Sequence, residues 1–114
     1  MKRATKILLL LAVFYSVAFS QSATDKIRTF INEKDYESAV KLIPEAEKEN
    51  LEDAKNLVFF GDIYFEMDRF SDALKYYELA NKADRRQPYI LRKLGRTYAQ
   101  LGNIELSLET LNDA

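Results

Sequence analysis

Two groups of charged residues stand out against apolar surroundings. Asp62 and Glu66 lie one helical turn apart, and Arg92, Lys93 and Arg96 follow about thirty positions later. A carboxylate pair can exchange protons with a substrate, and cations on adjacent helical steps can receive a partner's carboxylates. The first chemistry fares badly. With no histidine and no cysteine, the chain lacks imidazole bases, thiolates, disulfides and most zinc sites together. A hydrolase would then need a carboxylate pair or a Ser–Lys dyad in a pocket, and carboxylates on an acid-rich chain usually face solvent. Three scattered glycines make no phosphate-binding loop. Neither catalysis nor a cofactor nor a metal is expected, and the cations point to recognition.

The 114 residues are 47% hydrophobic and 31% charged, which suits one small folded domain. Net charge is −1. Removing Lys2, Arg3 and Lys6, which belong to a leader, leaves 14 basic against 18 acidic residues, or −4. A nucleic-acid partner is not expected, because such domains are normally basic.

Residues 1–20 have the layout of a signal peptide. Lys2, Arg3 and Lys6 make a positive start, and Ile7 to Phe19 form an apolar core. Ala18-Phe19-Ser20 then puts small residues at the two positions a signal peptidase inspects, so cleavage is expected before Gln21. The apolar run is short for a membrane span, which needs about 20 residues. An uncleaved N-terminal anchor is the alternative for the same residues. No cysteine follows the core, which excludes a lipid anchor. The expectation is an exported chain, in the periplasm or cell envelope, with no integral span after cleavage.

The elements that must position the charged groups come from periodicity. Leu57, Phe60 and Tyr64 share one helical face, and after Met67-Asp68-Arg69 the pattern resumes at Phe70, Ala73, Leu74, Tyr77 and Ala80. Two helices are predicted, with the turn at Asp68 to Ser71. The pattern then repeats at a spacing of about 34 residues. Leu57 recurs as Leu91, Phe60 as Leu94, Gly61 as Gly95, Tyr64 as Tyr98, Ala73 as Ser107, Tyr77 as Leu111 and Ala80 as Ala114. Counting back, Phe30, Tyr36, Ala39, Ile43 and Ala46 fit the same register, but Ala23 and Lys26 replace its first large apolar residues. The units predicted are 21–53, worn as terminal repeats often are, then 54–87 and 88–114.

Local signals refine these units. Ser22 with Asp25 is a candidate cap for a helix whose apolar stripe is Ile27, Phe30 and Ile31. Pro44 is expected to kink or break the second helix, since it cannot donate to the Val40 carbonyl. The acidic run Glu45 to Asp53 reads as a solvated face and linker turn. Pro88 suits a first helical turn, Gly102 a left-handed helix end and Asn103 the following cap. The chain stops at Ala114 in mid-helix with its apolar face uncovered, so a fragment of a longer protein is expected.

At Leu57, Phe60-Gly61, Tyr64, Ala73, Tyr77 and Ala80, and at their copies, the sequence resembles the tetratricopeptide repeat. The first unit follows the pattern weakly, and Leu51 and Arg85 stand where the family often has proline. A leader ending in Ser-Gln before such repeats is also similar to envelope proteins of Bacteroidetes-type bacteria. The resemblance implies an all-α, right-handed superhelical solenoid of about three antiparallel helix pairs. It implies that Gly61 and Gly95 let paired helices cross closely, facing Ala73 and Ser107. Tyr64, Tyr77 and Tyr98 would fill the space between units.

The resemblance further implies a concave groove, lined by the first helix of each unit, that holds a peptide or partner protein. On this chain that face comprises Lys55, Val58, Phe59, Asp62, Phe65 and Glu66, then Tyr89, Arg92, Lys93, Arg96, Ala99 and Gln100. Two readings of its charges stand side by side: a partner's carboxylates meet the cations, or Asp62 and Glu66 pair internally with Arg92 and Arg96. Phe59 and Phe65 are either buried inside the superhelix or form an aromatic patch for a partner. The clamp by which some relatives hold chaperone tails maps to Thr24, Arg28, Phe59, Tyr89 and Lys93, of which Lys93 alone fits. The function expected is a non-catalytic interaction scaffold of the bacterial cell envelope. The alternative is the periplasmic sensor or accessory domain of a larger signalling or peptidoglycan-anchored protein.

Overall fold

Four of the six described helices start where a short polar side chain serves the free backbone N–H groups of the first turn. The structure, a computed structural model, describes residues 21–49 and 53–114. The leader therefore lies outside the described residues. Helix α1 spans Ala23–Asn32, α2 Tyr36–Glu49, α3 Ala54–Glu66, α4 Phe70–Ala83, α5 Pro88–Gln100 and α6 Ile104–Asp113. Ser22 caps α1 by accepting the Asp25 N–H at 3.1 Å, Asp53 caps α3 and Asn103 caps α6. Before α2, the Asp35 carboxylate accepts the Ser38 hydroxyl at 2.7 Å and the Ser38 N–H at 3.2 Å. Those bonds, the hydroxyl first, hold its pKa below the usual carboxylate value. Helix α5 starts on Pro88 as expected, with no side-chain cap.

The turn inside each helix pair is built the same way three times. Lys34, Asp68 and Gly102 take φ of +58°, +58° and +83°. The N–H of the next residue, Asp35, Arg69 or Asn103, then reaches back to the carbonyl of Phe30, Tyr64 or Tyr98 at 2.8–2.9 Å. This left-handed closure satisfies the orphan carbonyls of the preceding helix. Sequence showed it at Gly102 alone. The second pair's turn is also tighter than expected, because Phe70 already begins α4.

Proline 44 does not break α2, which continues from Tyr36 to Glu49 with Pro44 inside. The helix is held by its buried face of Ala39, Ile43 and Ala46, and packing there outweighs one missing hydrogen bond. Consequently Glu45 to Glu49 are helical rather than a linker turn.

The six helices form an all-α solenoid of three antiparallel pairs, α1–α2, α3–α4 and α5–α6, with α5 stacked on α4. The core runs through the repeat positions: Leu57, Phe60, Ala73, Tyr77, Ala80, Leu91 and Leu94 are buried, and Ser107 is too. At Gly61 an added methyl carbon would lie 2.5 Å from the Tyr77 ring, and at Gly95 2.5 Å from Leu111. Close crossing at these glycines is therefore real, but Tyr77 and Leu111 press on them more directly than Ala73 and Ser107 do. Ser107 still closes the last seam, its hydroxyl donating to the Gly95 carbonyl at 2.7 Å. Ile63 and Ile90 are fully buried as well. Among the described residues no helix is long and apolar enough to cross a membrane.

Candidate functional site

The first helices of the three pairs leave two adjoining clefts between them. One, of about 240 Å³, lies between α1 and α3 and is lined by Ile31, Tyr36, Phe59, Asp62, Ile63 and Glu66. The other, of about 180 Å³, lies between α3 and α5 and is lined by Asp62, Phe65, Glu66, Tyr77, Lys93 and Arg96. Asp62 and Glu66 belong to both, so the pair that opened the sequence reading marks the saddle between an apolar and a charged cleft. They share it because a spacing of four residues puts both on one face of α3.

Asp62 is committed to its own chain. Its Oδ1 accepts the Lys93 ammonium at 2.7 Å and the Tyr77 hydroxyl at 2.5 Å. Tyr77 is buried, and desolvation followed by the bond to Asp62 pushes its hydroxyl pKa far above the usual tyrosine value. A neutral, donating phenol fixes the carboxylate from the core side while Lys93 holds it from the cleft side. The internal pair is thus Asp62–Lys93, and the expected pairing of Asp62 and Glu66 with Arg92 and Arg96 does not form. Among the described residues the only other ion pair joins Arg69 to Asp72, so Glu66, Arg28, Arg92 and Arg96 carry unpaired charges.

Two of those arginines sit on aromatic faces. The Arg28 guanidinium lies 4.9 Å from the centre of the Phe59 ring, and that of Arg96 lies 5.2 Å from the centre of Phe65. Phe59 and Phe65 are both half-buried, packed against the core by one side and open to a cleft on the other. Each is core and cleft wall at once. Stacking pins a long side chain that would otherwise sample many rotamers.

Of the twelve residues placed on the groove face, the clefts gather Phe59, Asp62, Phe65, Glu66, Lys93 and Arg96. Val58 is a correction: it is only 6% exposed and belongs to the core, because α3 has helix pairs on both sides and buries more of its circumference than a two-sided face. Lys55, Arg92, Ala99 and Gln100 are exposed outside both clefts, and Tyr89 packs half-buried against the core. Ile31, Tyr36, Ile63 and Tyr77 line the clefts without having been anticipated there. Tyr36 and Tyr77 come from second helices, a contribution that helical-face mapping of first helices alone could not show.

The remaining tyrosines tie the solenoid together. Tyr64 stacks on Tyr76 with ring centres 5.5 Å apart, inside one pair rather than between units. Tyr76 crosses to the previous pair by donating its hydroxyl to Glu47, and Tyr98 does so by donating to Glu78 at 3.2 Å. Among the described residues, no three acidic side chains converge to hold a metal ion.

Residues 54–87 match the tetratricopeptide repeat family model. A comparison with the curated proteins finds no match. Among solved structures the chain is similar to "MamA MSR-1 C2", with 21% identity, a TM-score of 0.72 and coverage of 80% of this chain and 52% of the other. It is also similar to "MamA AMB-1 C2221", with 21% identity, a TM-score of 0.73 and coverage of 80% and 54%. The chain thus spans about half the length of these solved chains. At that identity the likeness is one of fold.

Proposed function

We propose that the chain is a non-catalytic protein-interaction scaffold of the bacterial cell envelope, holding a peptide or partner protein across the two clefts of its first helices. The observation that carries this reading is the continuity of the clefts. They meet at Asp62 and Glu66 and place half-buried Phe59 and Phe65 along one surface. Concave, partly apolar surfaces with a few placed charges are where proteins take ligands. The repeat match over residues 54–87 supports the same reading. Export is supported by the charged start, apolar core and Ala18-Phe19-Ser20 of the leader.

The test is affinity capture from envelope extract, comparing the chain beginning at Gln21 with its Phe59→Ala/Arg96→Glu variant. Loss of specific partners at unchanged circular dichroism is the expected result. Identical capture by both proteins would remove the clefts as the binding surface. The mass of the chain recovered from the envelope checks the leader: a start at Gln21 is expected, and a start at Met1 counts against cleavage.

A further inference from the structure

Uncovered apolar surface is concentrated at one end of the solenoid. Among the described residues, five of the six exposed large hydrophobic residues, Leu101, Ile104, Leu106, Leu108 and Leu111, lie on α6 or in the turn before it. Ile104, Leu108 and Leu111 follow at steps of four and three, so they form one stripe along the helix. Glu105 and Glu109 run beside that stripe one turn apart, and Asp113 follows a turn later. All three acids are exposed and make no ion pair among the described residues, and α6 carries no basic residue. The equivalent place one unit earlier shows what such a face takes. Leu111 stands where α4 has Tyr77, and there α5 buries the ring, with the Lys93 ammonium 6.0 Å from its centre. That covering helix has Arg92, Lys93 and Arg96 and no acid, and its Tyr98 hydroxyl donates to Glu78 of α4.

We propose that the outer face of α6 docks an amphipathic helix of a partner protein, its apolar stripe lying on Ile104, Leu108 and Leu111 and its lysine or arginine edge meeting Glu105 and Glu109. This surface lies apart from the two clefts and stands independently of their role. Charge complementarity decides the occupant. A second copy brings the same acids, so an isologous pair would set two acidic helices side by side. Helix α1, at the other end of the solenoid, exposes only the polar residues Asp25, Lys26, Arg28, Thr29 and Asn32, and offers no apolar stripe to a neighbouring copy. An anionic lipid surface attracts basic segments and would repel these carboxylates. A basic-edged helix satisfies both halves of the face at once, burying stripe against stripe and placing cations beside carboxylates that have no partner.

The probes are three fluorescein-labelled helical peptides of about 20 residues that share one leucine stripe and carry lysine, glutamine or glutamate along its edges. Their binding to the chain beginning at Gln21 is followed by fluorescence anisotropy at low salt. The lysine peptide is expected to bind about tenfold more tightly than the glutamine peptide, and the glutamate peptide most weakly. Glu105→Gln/Glu109→Gln should abolish that preference while binding of the glutamine peptide persists. Ile104→Gln/Leu108→Gln, which changes exposed side chains alone, should abolish binding of all three at unchanged circular dichroism. Binding that survives Ile104→Gln/Leu108→Gln would place the peptides elsewhere and overturn the proposal. Equal binding of all three peptides, or none by any, would overturn it too. A dimer of the free chain in sedimentation, lost in Ile104→Gln/Leu108→Gln, would make a second copy the occupant instead. Binding to phosphatidylglycerol vesicles lost in the same variant would make it a lipid surface. Slow hydrogen exchange across α6 in the protein recovered from the envelope, with no partner bound, would show the face covered by its own chain and overturn the partner.

Discussion

Gly61 shows how one residue fixes a helix crossing. A glycine in mid-helix costs about 1 kcal/mol relative to alanine, so its presence needs a compensating contact. The Tyr77 ring supplies it, occupying the space where a side chain would begin, and Tyr77 is only 2% exposed and cannot step aside. Gly61→Leu should therefore destabilise by about 1–3 kcal/mol through overpacking, read as a lowered melting temperature. An unshifted melt would contradict the crossing. Tyr76 and Tyr77 carry a pH signature of their own. Burial, then bonds to Glu47 and Asp62, raise both hydroxyl pKa values far above the ordinary 10.0. Ionisation is easier in the unfolded chain, so the stability they contribute is complete below pH 10 and drains away as pH rises beyond it. In an alkaline absorbance titration, Tyr76 and Tyr77 should ionise well above pH 10, together with the loss of helicity. Ionisation of both near pH 10 in the folded chain would refute that environment.

The helix pair has a turn whose backbone recurs more faithfully than its residues. Lys34, Asp68 and Gly102 occupy equivalent left-handed positions, yet glycine, which takes that conformation without a Cβ clash, stands at one of them. Lysine is the least suited of the three, lacking the short polar side chain that helps aspartate there. Lys34→Gly should stabilise the chain by about 0.5–1 kcal/mol in urea unfolding, the relief of strain exceeding the added freedom of the unfolded state. A loss of stability would mean that the lysine makes a contact worth more than the strain. Pro44 teaches the complementary lesson. Its local rule is a strong one, but a helix with Ala39, Ile43 and Ala46 buried tolerates one missing bond, and α2 runs through it.

At the scale of the whole solenoid, exposure follows from stacking. Tyr77 and Leu111 hold the same place in successive units, yet Tyr77 is buried beneath α5 and Leu111 is 39% exposed. Ile104 and Leu108 on the same helix are 57% and 58% exposed. Hydrophobic residues that exchange little surface on folding contribute little to stability. Ile104→Gln/Leu108→Gln should leave the urea midpoint within about 0.5 kcal/mol of the parent, whereas Ile43→Ala should cost about 2–5 kcal/mol. Comparable losses from both variants would show that α6 is covered in solution.

What the sequence determined by itself is the repeat. The recurrence of Leu57, Phe60, Gly61, Tyr64 and Tyr77 dictates helix pairs that stack, because these types only satisfy one another in that register. The all-α solenoid was legible for that reason, as were the capping roles of Ser22 and Asn103. Side-chain fate around the helix was not. Val58 and Phe59 are neighbours of similar character, and only the presence of helices on both sides of α3 sends the first into the core and leaves the second on a cleft. Thr97 is fully buried with its hydroxyl on the Lys93 carbonyl, a polar residue that no hydrophobic pattern would place inside. The choice of Lys93 over Arg92 and Arg96 as the partner of Asp62 was likewise a tertiary decision. Three cations at helical spacing are equivalent on paper, and the angle at which α5 meets α3 brings one ammonium to 2.7 Å and leaves a guanidinium over Phe65 instead.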